Sequence, residues 1–102
     1  MKKFSLLLLI LCTSVFVFGQ KQSISGFIKD QSNGEAIIGA SVYISELKSG
    51  VSANTYGFYS LTLPKGKYHL VFSSSGYQKI EREIVLDLQK LDINVELLPL
   101  VS

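Results

Sequence analysis

The stretch from Tyr56 to Tyr77, YGFYSLTLPKGKYHLVFSSSGY, limits the folds open to this chain more than any other. Tyr59, Leu61 and Leu63 fall at every second position, and so do Tyr68, Leu70 and Phe72. Side chains two apart share one face of a strand, so each run predicts a strand with one dry side. Pro64 and Gly66 punctuate the chain between them, one fixing φ and the other freeing it. Two alternating rows joined by Pro64-Lys65-Gly66 predict a β-hairpin that supplies aromatic bulk to a core. Nothing in the stretch has the composition of a reaction centre.

The rest of the chain adds strands around it. Gln22 to Lys29 places Ile24, Gly26 and Ile28 on one face and Phe27 on the other. Asp30 to Glu35 contains Asn33-Gly34, a strong turn signal. Val42 and Ile44 point one way along Ala40–Ser45, and a turn at Lys48-Ser49-Gly50 leads to a short polar edge strand over Val51–Thr55. After the central stretch, Ser73 to Gly76 predicts a bend. Ile80, Ile84 and Leu86 continue the apolar pattern through a charged run, Lys79 to Glu83. The clearest period is the last: Leu91, Ile93, Val95 and Leu97 alternate with Asp92, Asn94 and Glu96 before Leu98-Pro99. Pro99 is expected to bar further pairing on its donor side. No segment has a helical period. The expectation is an all-β fold, a seven-stranded antiparallel β-sandwich. Its predicted inner face holds Ile24, Ile28, Val42, Ile44, Tyr59, Leu61, Leu63, Tyr68, Leu70, Phe72, Ile93, Val95 and Leu97.

Met1 to Gln20 is different in kind. Lys2 and Lys3 precede an almost wholly apolar run, Phe4 to Phe18, and Gly19 is a small residue suited to a peptidase. These are the parts of a secretory signal peptide, read here as residues 1–19. The run is about 15 residues, short of the roughly 20 that span a bilayer, which argues against an anchor. Cys12, the one cysteine, lies early in this run behind Leu11, a poor context for lipidation. Cleavage would leave one thiol-free domain, residues 20–102. Of ten Lys+Arg and eight Asp+Glu in the whole chain, the leader holds two lysines, so the mature domain has eight of each and no net charge. Neither nucleic acid nor an acidic surface is an evident partner.

The search for chemistry returns little. His69 is the only histidine, too few for a metal site, and reads as a solvated strand residue. Ser73-Ser74-Ser75 reads as a bend rather than a nucleophile. Asp30, Glu35 and Glu46 lie beside turns and could gather at one end of a sandwich, but their spacing matches no calcium loop. Gly26, Gly34, Gly39 and Gly50 do not make a phosphate loop. Phe27, Tyr43 and Phe58 are candidates for an exposed aromatic patch. No catalytic, cofactor-binding or metal-ligating residue is assigned.

Several runs together resemble the carboxypeptidase-regulatory-like domain, a transthyretin-like (prealbumin-like) β-sandwich. Ile24 to Asp30 is similar to its opening strand. Asn33-Gly34-Glu35 with Ile37, Ile38, Gly39, Ala40, Ser41 and Val42 resembles its Gly-Glu-x-Leu-x-Gly-Ala-x-Val run. Gly57, Tyr59, Leu61, Pro64, Gly66 and Tyr68 resemble its Gly-x-Phe-x-Leu and Pro-x-Gly-x-Tyr pattern, and Ser75-Gly76-Tyr77 its closing Gly-Tyr. Tyr56 stands where the family often has an acidic residue or Asn. Tyr59 stands where it commonly has Phe, so a hydroxyl must find a partner.

Behind a signal peptide, such a domain resembles the N-terminal extension of outer-membrane TonB-dependent receptors. The resemblance implies a non-catalytic module supporting nutrient transport, exported to the periplasm and associated with the outer membrane. Its implied partners are a receptor's plug and barrel and periplasmic transport machinery, with no cofactor. Leu98 to Ser102 would then fall where a linker to the plug begins, and the chain would be a fragment of a receptor. The alternative is a free-standing secreted sandwich that binds glycan or peptide. The fold also hosts a hydrolase of a purine breakdown product, which uses several histidines, an arginine and a particular tail. This chain offers His69 and Arg82 and ends in Leu-Val-Ser, so the resemblance implies no enzyme.

Overall fold

The computed structural model describes residues 21–87 and 90–101. The leader, its Cys12 and the expected cleavage site lie outside the described residues. Eight strands follow in order: β1 (Lys21–Asp30), β2 (Ser41–Ile44), β3 (Ser49–Ser52), β4 (Phe58–Pro64), β5 (Gly66–Ser73), β6 (Ile80–Leu86), β7 (Lys90–Asp92) and β8 (Val95–Leu97). They form two sheets. One has β1 between β4 and the pair β7 and β8, and the other runs β3-β2-β5-β6. The β-sandwich is therefore as expected, with corrections to its wiring.

The first correction concerns the central stretch. β4 and β5 are not a hairpin. β4 pairs antiparallel with β1, whereas β5 pairs with β2 and β6 in the other sheet. Pro64-Lys65-Gly66 thus carries the chain across the sandwich. A hairpin would set its two apolar rows side by side on one sheet. Here they face each other through the core, and the Tyr59 ring meets Phe72 edge-on at 5.7 Å. The Tyr68 hydroxyl donates to the Pro64 carbonyl at 2.6 Å, bracing the crossing.

The second concerns the final strand, expected as one antiparallel run from Leu91 to Leu97. β7 and β8 both pair with β1, in parallel, at one constant register: Ser25 opposite Asp92, Ile28 opposite Val95. The chain crosses from β6 back to the flank of β1 and starts at the end where β1 starts, which enforces the parallel sense. No residue is inserted at the break, which is why the period of the sequence survives it. The Ile93 N–H still donates to Ser25 O (2.8 Å). Its carbonyl, however, accepts the Tyr59 hydroxyl at 2.7 Å. The Asn94 side chain accepts the Phe27 N–H at 2.9 Å. The close approach requires glycine: a Cβ on Gly26 would lie 1.8 Å from the Ile93 oxygen.

Third, the turn expected at Lys48 to Gly50 comes earlier, at Ser45–Lys48, with Lys48 at φ 51°. Gly50 is already in the ladder opposite Tyr43, where a Cβ would meet the Val42 carbonyl at 2.3 Å. Its purpose is close packing of strands, not turning. Finally, Pro99 does not end pairing. Tyr77 and Pro99 form a bridge, with Gln78 N–H donating to Leu98 O and Leu100 N–H to Gly76 O, each at 2.9 Å. The missing donor on Pro99 is not needed, because its neighbours make both bonds.

The core contains every predicted inner residue except Ile93, which is partly buried against it. Ile37, Ala40, Ala53, Ile84 and Leu86 join it.

Candidate functional site

The sheets are unequal in width. Because β7 and β8 share one flank of β1, their sheet is three strands across, against four in the other. β4 lies over β3 and β8 over β5, so β6 extends past the edge of the opposite sheet. Ile80 and Arg82 share the parity of buried Ile84 and Leu86, so they face the space that a further strand beside β8 would fill. A groove of about 620 Å³ opens at that edge and wraps onto the outer face of β1 and β8. Phe27, Lys29 and Gln31 of the β1 side, Asn94, Val95 and Glu96 of the β8 side, and Ile80 and Arg82 line it.

Its polarity is mixed. Phe27 is 41% exposed and packs edge-on against Phe58 with ring centroids 5.3 Å apart. The Lys29 ammonium lies 5.7 Å from the Phe27 centroid, within cation–π reach. Lys29 and Arg82 face one carboxylate, Glu96, and among the described residues Arg82 makes no ion pair. The groove has one net positive charge.

Two other clusters hold the frame. The Asp30 side chain, 7% exposed, accepts from the Ser32 N–H (2.7 Å), the Ser32 hydroxyl (2.5 Å) and the Tyr77 hydroxyl (2.7 Å). The Ser32 and Tyr77 hydroxyls hold the carboxyl below its ordinary pKa, and Asp30 in turn raises that of Tyr77. On the outer face of the other sheet, Glu46 accepts from the His69 N–H (2.7 Å) and contacts Nδ1 at 2.5 Å. Glu83 lies 3.3 Å from Nε2. The Glu46 contact raises the imidazole pKa, and Glu83 and Glu81 add to it. His69 is thus more than a solvated strand residue: it fixes the β2–β3 turn to β5. Burial raises the Tyr59 phenol, with the Asp92 charge adding to it.

Of the three acidic residues named from sequence, Asp30 and Glu35 lie together, the Asp30 N–H donating to the Glu35 carbonyl at 2.8 Å, whereas Glu46 lies apart from them. Asp30 serves Ser32 and Tyr77, and Glu46 serves His69. Ser74 accepts the Tyr77 N–H through its carbonyl, as expected of a bend. Of the three aromatics, Phe27 and Phe58 meet on one sheet and Tyr43 lies on the other. Among the described residues no three His, Cys, Asp or Glu side chains are placed to hold a metal ion. Sequence reasoning absorbed Arg82 into a solvated charged run and missed that it lines the groove. Its alternation with Ile80, Ile84 and Leu86 was the available signal.

Fold and site define a two-sheet β-sandwich module with a groove at one edge. Residues 24–100 match the model of the CarboxypepD_reg-like domain. The chain belongs to that family. No curated protein matches it. Solved structures share the fold. A candidate membrane-associated protein of unknown function from Bacteroides fragilis superposes with TM-score 0.61 at 23% identity, over 80% of this chain and 29% of that one. A cohesin–X-dockerin complex from Acetivibrio cellulolyticus gives 0.60 at 15%, over 76% and 56%. A candidate carbohydrate-binding protein from Bacteroides uniformis gives 0.60 at 17%, over 76% and 41%. The chain spans less than two thirds of each of these.

Proposed function

We propose that this domain is a non-catalytic periplasmic module at the N-terminus of a TonB-dependent outer-membrane receptor, where it supports nutrient import. The observation that carries the reading is a CarboxypepD_reg-like sandwich over residues 24–100 directly behind a leader with the parts of a secretory signal. Such a module works by position. It braces the receptor's plug or presents a surface to the periplasmic transport machinery. The polar clusters are consistent with a structural role: Asp30 with Tyr77, and Glu46 with His69, tie one segment of the fold to another. Two measurements test the reading. The reading frame beyond Ser102 should encode a plug and a barrel. Deleting Gln22 to Leu97 from the receptor should leave its surface level normal and impair substrate uptake. Unchanged uptake would remove the role, and loss of the receptor from the membrane would replace it with a folding or targeting role.

A further inference from the structure

We infer that the groove beside β8 is a docking site for an extended peptide segment bearing acidic side chains, held as an added strand. This goes beyond the receptor reading and does not depend on it. Strand order comes first. The β8 position is the edge of a three-wide sheet facing a four-wide one, and the groove runs from the outer face of β1 and β8 around that edge to Ile80 and Arg82 of β6. Neighbouring strands lie about 4.8 Å apart, so one extended chain is the element that completes the layer.

The edge has groups to offer. Gln31 N–H donates to Leu97 O, so Leu97 turns its backbone toward β1. Backbone polar groups alternate sides along a strand, so the N–H and C=O of Glu96 face the groove. Two residues beyond Glu96, the Leu98 carbonyl already uses that flank, accepting from Gln78. The chain itself therefore begins a pairing here, and the two edges diverge where Ile80, Arg82, Val95 and Glu96 line the groove.

Charge selects the occupant. Lys29 and Arg82 outnumber Glu96, and Arg82 has no ion pair among the described residues. A strand added to β8 would point alternate side chains inward over Ile80 and Arg82. Apolar contact with Ile80 and a carboxylate on the Arg82 guanidinium satisfy both. An arginine presents a fork that suits a carboxylate. Strand addition draws affinity from the main chain and specificity from alternate side chains. A sugar can bond single backbone groups but carries no donor and acceptor repeat that matches a strand edge, and a second copy of this chain would oppose Arg82 and Lys29 to themselves in a symmetric pairing.

The test is a titration of the purified protein with a capped hexapeptide of alternating glutamate and valine, followed by amide NMR. The expected result is saturable shifts centred on Glu96, Ile80 and Arg82. A peptide with lysine for glutamate should bind about tenfold more weakly, and proline at the central positions should abolish binding. Arg82→Gln should weaken the glutamate peptide about three- to tenfold with an unchanged melting temperature, since this side chain is exposed. No saturation at millimolar peptide overturns the inference. So do equal binding of the lysine peptide, or shifts centred on another face. Groove shifts produced by neutral oligosaccharides and not by the peptide would reassign the site to glycan. Concentration-dependent sedimentation with the same residues perturbed would reassign it to self-association.

Discussion

Gly26→Ala is the substitution that most directly tests how the two halves of the last strand are seated. The new methyl would begin 1.8 Å from the Ile93 carbonyl oxygen, and backbone atoms cannot yield as a flexible side chain does. Even a separation of 3.0 Å, the short limit of real Cβ contacts, requires a retreat of roughly 1.2 Å. Three bonds depend on that backbone: Tyr59 hydroxyl to Ile93 O, Ile93 N–H to Ser25 O, and Phe27 N–H to the Asn94 side chain. At about 1 kcal/mol each, their loss costs about 3 kcal/mol. A small domain may hold only about 5 kcal/mol in total. For a domain of this size the melting temperature should fall by roughly 10–20 °C. Calorimetry and urea unfolding of the chain from Gln20 onward are the assay. Tyr59→Phe removes only the hydroxyl and orphans one carbonyl, so it should cost about 1–2 kcal/mol. Both changes act on the same oxygen, and the double variant should fall short of their sum. A Gly26→Ala melting temperature within about 3 °C of the parent, or strict additivity, would refute the account.

Other expectations follow from the core and from His69. Tyr68→Ala removes a buried ring and the hydroxyl that braces the crossing between sheets, and should cost about 3–5 kcal/mol; a melting temperature unchanged within a few degrees would show the ring is dispensable. The His69–Glu46 pair should make stability pH-dependent. The folded imidazole pKa lies above its ordinary 6.5, so its contribution is complete below 6.5 and is lost as pH rises through the raised value. Glu46 is depressed below its ordinary 4.5, first by the His69 side chain, so its contribution is complete above 4.5 and is lost as pH falls through the lowered value. Melting temperatures of His69→Ala and the parent should therefore differ most between these limits, and parallel pH profiles would show the pair contributes nothing.

The strand periods were legible because burial on a sheet alternates, and most of the predicted inner face is core for that reason. Pairing was less legible. Leu61 and Leu70 alternate identically whether their strands share a sheet or face each other across the core. A three-residue link such as Pro64-Lys65-Gly66 suits both. The parallel sense of β7 and β8 depends on where the chain re-enters the sheet, which no local pattern records. Tyr59 was the informative exception: a hydroxyl bound for the core had to find an acceptor, and the Ile93 carbonyl is that acceptor. The groove was least legible. Arg82 lies among Lys79, Glu81 and Glu83 in sequence, and only the unequal width of the two sheets separates it from a solvated charge.

The parallel pairing of the first and last strands has a mechanical meaning. β1 begins at Lys21, and β8 ends beside Asp30, so the chain enters and leaves at opposite poles of the sandwich. Tension applied between those poles runs along the strands rather than across them. It loads the bonds between β1 and its parallel partners in shear, all together, instead of opening them one at a time. A module built this way transmits a pull along its length before it yields, and the glycine at position 26, where the Ile93 carbonyl is seated, lies in the middle of the loaded ladder.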